Sequence, residues 1–138
     1  MLFIKSGKSA EEYLQTIKEE GGIEIYEFPK GNEENIDNYF RQLFDAGDLP
    51  SNKHKKSFNN PDARHIDTYD LFNNNCVTIT KSGAKAGGIN LDSESISPRG
   101  FNKDLSDQSQ RDETVDVIYN PMDYLDSLLR MYYYAGFD

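Results

Sequence analysis

Cys76 is the residue of this chain best suited to covalent chemistry, and it is the single cysteine among 138 residues. A thiolate, not a thiol, attacks a carbonyl, so a reactive cysteine needs surroundings that favour negative charge. A helix N-terminus supplies them through its partial positive charge, and its free N–H groups can hold an oxyanion. Cys76 follows the run Asn73-Asn74-Asn75. Asn is a preferred N-cap, which puts the cysteine in the first turn of a helix. The competing reading is a small, buried, inert thiol at a helix start.

A thiol nucleophile also needs an imidazole within hydrogen-bond reach. The chain has two histidines, His54 and His65, and both precede Cys76. His65 opens an extended piece and is the better placed. His54 lies in a loop among Lys53, Lys55 and Lys56. Asp67 and Asp70 could orient an imidazole or stand as plain surface acids. Asn74, Asn75 and Thr78 flank the cysteine where a substrate or oxyanion would be held, and capping is the other use for the asparagines.

Other chemistries find no footing. One Cys and two His at these spacings match no zinc pattern. Gly87-Gly88 reads as a helix stop, not a phosphate loop. No carboxylate pair stands out, and nothing marks a serine for a triad. A lone cysteine excludes an intrachain disulfide. A net charge of −9 argues against binding through a nucleic-acid backbone, which needs clustered Lys and Arg. It suits a basic partner instead. No apolar run approaches the roughly 18 residues of a membrane span. No signal peptide is visible, since Met-Leu-Phe-Ile gives way at once to Lys5.

These side chains need a scaffold, and 138 residues amount to one domain. Hydrophobic residues are 36% of the chain, with nine Tyr and eight Phe carrying much of the burial. The mean hydropathy of −0.77 adds long polar loops to that picture. No internal repeat is present.

Residues 2–5 read as a strand. Ser9 caps a helix with Glu12 as capping-box partner. Tyr13, Leu14 and Ile17 give it a buried stripe, and Gly21-Gly22 ends it. Residues 23–28 alternate as a half-buried strand, closed by Pro29. A second helix starts between Asn32 and Glu34. It buries Ile36, Tyr39, Phe40, Leu43 and Phe44 and stops at Gly47. Residues 48–63 form a polar loop, and 65–69 are extended.

A helix then runs from Cys76 to about Lys85, stopped by Gly87-Gly88. Residues 89–113, rich in Ser, Asp, Asn and Gln, read as a long loop. Residues 114–119 are a strand. Pro121 opens a last helix with the stripe Tyr124, Leu125, Leu128, Leu129 and Tyr132. The aromatic end, Tyr132 to Phe137, is expected to pack on the body. Strand–helix units of this kind imply an α/β or α+β layer.

The stretch Tyr69-Asp70-Leu71-Phe72-Asn73-Asn74-Asn75-Cys76-Val77-Thr78, running on to Gly87-Gly88, resembles the signature of circularly permuted papain-like cysteine hydrolases. Residues 2–88 resemble the C-terminal toxin domains of Rhs repeat proteins from Bacteroidetes. That resemblance covers roughly two thirds of the chain. It implies an α+β fold: a permuted papain-like half-sheet packed against helices, with the cysteine at a helix N-terminus. It implies Cys76 as nucleophile and no cofactor. The substrate would be a protein or a peptide-like amide, with a cognate immunity protein as partner. The setting would be a bacterial effector delivered into a target cell, as in type VI secretion. The chain departs from the family at the base. With no His after Cys76, either His65 or His54 serves, or the catalytic His lies upstream of Met1 in a larger toxin domain. The non-enzymatic alternative is an acidic binding module, such as an immunity or adaptor protein, with Cys76 silent.

Overall fold

The computed structural model describes residues 1–66 and 75–135, with side chains through residue 131. Among them, four short strands and five helices follow in the order β1 (Leu2–Phe3), α1 (Gly7–Glu20), β2 (Tyr26–Glu27), α2 (Glu33–Ala46), β3 (Ala63–Arg64), α3 (Cys76–Ala86), α4 (Pro98–Arg111), β4 (Asp116–Val117) and α5 (Pro121–Ala135). The arrangement is α+β, with two small antiparallel sheets, β1 with β3 and β2 with β4. In the first, Leu2 faces Arg64 and Phe3 faces Ala63. The strands are shorter than the alternation at 2–5, 23–28 and 114–119 implies. Each has a single partner strand, so its ladder ends where that partner departs.

The chain forms two compact units. One comprises Met1–Phe3 and Phe28–Asp116, the other Ile4–Glu27 and Val117–Asp138.

In the second unit, α1 packs on α5. Ser6, not Ser9, caps α1: Ser9 Oγ accepts from the Ser6 N–H at 3.3 Å and donates to Ser6 O at 2.9 Å. Ser9 thus stands three residues inside the helix, as the capping-box partner. Its inward face is Ala10, Leu14 and Ile17, spaced i, i+4 and i+7. Tyr13 is off that face, 51% exposed, with the Lys5 ammonium 5.4 Å from its ring centroid. Leu125 is the best-covered residue of α5, and Lys18 pairs with Asp126.

In the first unit, α2 starts at an Asn32 cap whose side chain accepts from Asn35 N at 3.0 Å. Phe44 is buried, and Ile36, Tyr39, Phe40 and Leu43 are half-buried, which matches the 3.6-residue spacing. α3 lies against α2 through two glycines. A Cβ at Gly83 would stand 2.5 Å from Phe40 Cζ, and one at Gly87 would stand 2.4 Å from Ile36 Cγ1. Any side chain there would separate the helices.

The segment expected to be a loop from 89 to 113 contains α4. Ser97 caps it, accepting from Gly100 N at 3.1 Å, and Pro98 takes the first turn. Phe101, Leu105 and Gln108 are its buried residues, again at i, i+4 and i+7. Only two of those three are apolar, so the stripe is faint in the sequence. No helix among the described residues is long and apolar enough to cross a membrane.

Candidate functional site

Cys76 is the first residue of α3, and its side chain is exposed. The helix begins there because Asn75 caps it twice. Asn75 Oδ1 accepts from Val77 N at 2.9 Å and from Thr78 N at 3.1 Å. Thr78 Oγ1 returns the contact, accepting from Asn75 N at 2.9 Å and donating to Asn75 O at 3.0 Å. The Asn-Cys-x-Thr pattern is therefore a capping box with a cysteine inside it. Asn75 is 4% exposed, and its Nδ2 donates to Ile96 O at 2.9 Å.

The structure thus brings Asn75, Cys76 and Thr78 together. It gives Asn75 and Thr78 the capping role: their side chains satisfy helix-start N–H groups and each other. The N–H of Cys76 makes no hydrogen bond among the described residues. Asn74, with Asp67, Asp70 and Asn73, lies outside the described residues.

His65 belongs to a different cluster. Its backbone pairs with Asp48 in both directions, His65 N to Asp48 O at 2.7 Å and Asp48 N to His65 O at 3.0 Å. Its ring lies 5.3 Å from that of His54, tilted by 38°. His54 Nδ1 is buried without a hydrogen-bond partner among the described residues. No hydrogen bond joins either imidazole to Cys76 among the described residues. The sequence separates His54, in the lysine loop, from His65, at a strand end. The fold brings their rings side by side at a tilt, and nothing in their spacing announces that.

A polar cluster beside α3 escaped the sequence reading. Lys81 Nζ donates to Ser93 O at 3.0 Å and Ser95 O at 2.5 Å, and it sits 5.5 Å from the Phe101 ring centroid. Asp104 Oδ2 accepts from Ser93 Oγ and Ser95 Oγ, each at 2.6 Å. Those two hydroxyls hold the Asp104 carboxyl below the usual aspartate range, with Lys103 and Lys81 adding to the effect. Gln108, 2% exposed, takes the Asp92 N–H on Oε1 at 2.8 Å and donates from Nε2 to Asn90 O at 3.0 Å. Ser97-Pro98, a cap followed by a first-turn proline, is the sequence signal that would have found α4 and with it Asp104 and Gln108.

No protein-family model, curated protein or solved structure matches the chain.

Proposed function

We propose that this chain is the cysteine-bearing part of a papain-like cysteine hydrolase, an effector domain of the Rhs toxin kind. The observation that carries the reading is the exposed Cys76 at the first position of α3, in a capping box made by the two motif residues Asn75 and Thr78. An exposed thiol at a helix start is the arrangement a thiolate nucleophile needs. The buried-hydrophobe alternative requires the opposite exposure. Support comes from this local site and from the motif resemblance, not from the sheets.

In the proposed reaction the Cys76 thiolate attacks an amide or ester carbonyl. The Cys76 N–H donates to the oxygen as it gains charge. The leaving amine or alcohol takes the proton held by the imidazole, leaving a thioester on Sγ. Water then attacks the thioester, releases the acid and returns the thiol. The imidazole is His65 or His54, or a histidine of the complete domain outside this chain. Partners are a protein or peptide-like substrate and a cognate immunity protein. The place of action is the target cell of a delivered effector.

The test is alkylation of Cys76 by iodoacetamide, alongside toxicity of the complete domain. Fast alkylation at pH 6 to 7, with toxicity abolished in a folded Cys76→Ala variant, is the expected result. Full toxicity in that variant ends the proposal. Loss of toxicity in His65→Ala with folding intact assigns the base to His65.

One observation favours a second reading, an acidic binding module: no imidazole bonds to Cys76 among the described residues. In that case the thiol alkylates no faster than a free cysteine at the same pH.

A further inference from the structure

Between Ser51 and Ala63 the backbone closes a turn at every third residue. His54 N donates to Ser51 O at 2.9 Å, Ser57 N to His54 O at 2.8 Å, Asn60 N to Ser57 O at 3.0 Å and Ala63 N to Asn60 O at 3.1 Å. His54, Ser57 and Asn60 are accordingly half-buried and Ala63 buried, while Lys53, Lys55 and Lys56 are exposed. A turn on either side thus holds His54. The paired bonds to Asp48 hold His65. These fixed backbones set the two imidazoles 5.3 Å apart between centroids, at a 38° tilt. A ring contact alone accounts for that spacing. It does not account for His54 Nδ1, which is buried without a hydrogen-bond partner.

We propose that His54 and His65 form a two-imidazole site for zinc or a chemically similar divalent ion, with His54 binding through Nδ1. Neutral imidazole nitrogens are common ligands of such ions. With zinc–nitrogen bonds of about 2.0–2.1 Å and each nitrogen about 1.2 Å from its ring centre, two imidazoles on one tetrahedral ion stand about 5.1–5.4 Å apart. The observed separation falls in that interval, and rings sharing an ion need not be parallel. A bond to the ion also gives the buried Nδ1 a partner, which buried polar atoms of folded proteins nearly always have. The described residues hold no group of three His, Cys, Asp or Glu that could complete the shell. Water takes the other positions, so the site is open and its affinity moderate. The neighbouring lysines share the sign of the ion, but they are exposed and screened by solvent and salt. Asp48, across the bridge from His65, is an exposed acid of the opposite sign. An ion on His65 takes the lone pair that a general base uses, so it would silence His65 in the proposed hydrolysis. The site itself rests neither on that reaction nor on Cys76.

Zinc chloride added to the untagged whole chain tests the site, read by NMR of the histidine rings and by calorimetry. The chain has two histidines, so each ring signal is assigned by its own variant. The expected result is one zinc per chain, with both ring signals moving together to the same endpoint. His54→Phe and His65→Phe, which keep a ring, should each weaken binding by about tenfold or more. Cys76→Ala should bind as wild type does. The wild-type ring signals carry the test where a variant loses its fold. Three results overturn the proposal: a response at one ring or at neither in millimolar zinc, binding that survives both histidine substitutions, or binding lost in Cys76→Ala, which would put the ion on the thiol. Toxicity is no part of the readout, so the site and the hydrolase reading can fail separately.

Discussion

The two sides of α3 are fixed by opposite physics. Towards α2 the contact is shape. Gly83 and Gly87 leave room for Phe40 and Ile36, and the polar contact printed on that side is one backbone hydrogen bond, from Asn32 N to Gly87 O at 3.0 Å. Towards α4 the contact is a set of directional bonds, with Lys81, Asp104, Gln108 and Asn75 holding the strap of residues 90–96 between the two helices. A glycine seam tolerates no added atom but is indifferent to pH and salt. A polar strap tolerates small changes of volume but answers to any loss of a partner or a charge. A helix held in both ways can loosen at one end while its middle stays put.

Four experiments break or sharpen that contrast. Gly83→Val should have the largest effect, about 3 kcal/mol of lost stability in urea unfolding, because even its Cβ meets the Phe40 ring. If Lys81→Met costs more than Gly83→Val, the seam is not the dominant contact. Asn75→Ala comes next, at about 1–2 kcal/mol for a lost cap. Its signature is early fraying at Val77 and Thr78 with the Gly83 end of α3 still protected.

The pH response is smaller and has a defined sign. Asp104 and Asp112 both titrate below the ordinary aspartate value in the folded protein. For Asp104 the leading cause is the hydrogen bonds from Ser93 and Ser95, and for Asp112 it is the bond from the Thr114 backbone. The unfolded chain therefore takes up these protons first as pH falls. Their contribution is fully present above pH about 4 and is lost as pH drops through the lowered folded values. The urea midpoint should fall between pH 5 and pH 3, and it should fall less in Asp104→Asn. An equal fall in both proteins would remove Asp104 from the account.

The smallest effect belongs to Lys103→Ala. It breaks an exposed i, i+4 pair with Asp107, and the unfolding midpoint should not move measurably. A clear shift would mean that α4 is held from its outer face as well as by the strap.

The helices that were legible share strong end signals. α2 has Asn32 before it, Gly47 after it and an apolar residue at each inward step between them. α3 has Asn75 and Gly87, and α5 has Asn120-Pro121. α4 went unread because its inward face includes Gln108, a polar residue whose burial is stabilised by partners in the strap. Composition alone therefore makes it a loop. Tyr13 misled in the other direction: an aromatic ring next to Leu14 looks like core, yet it lies outward under Lys5.

The candidate site divides along the same line. Cys76 at a helix start behind an asparagine cap was readable because capping acts between successive residues, whereas Thr78, expected beside a substrate, proves to be the capping-box partner of Asn75. The approach of the His54 ring to that of His65 was not readable, because it depends on how the loop after Asp48 returns to the Asp48–His65 bridge.

What the sequence determined by itself is local: the ends of α2 and α3, the start of α5, and a cysteine at the head of α3. Capping, glycine stops and 3.6-residue spacing act within a few residues, so they are written in the order of the chain. Tertiary structure alone decided that Lys81 and Asp104 meet at the same serines, that Gln108 is buried, and that neither imidazole bonds to Cys76 among the described residues. Each of those facts joins groups from different elements. Their distances follow from packing, which the order of residues does not display.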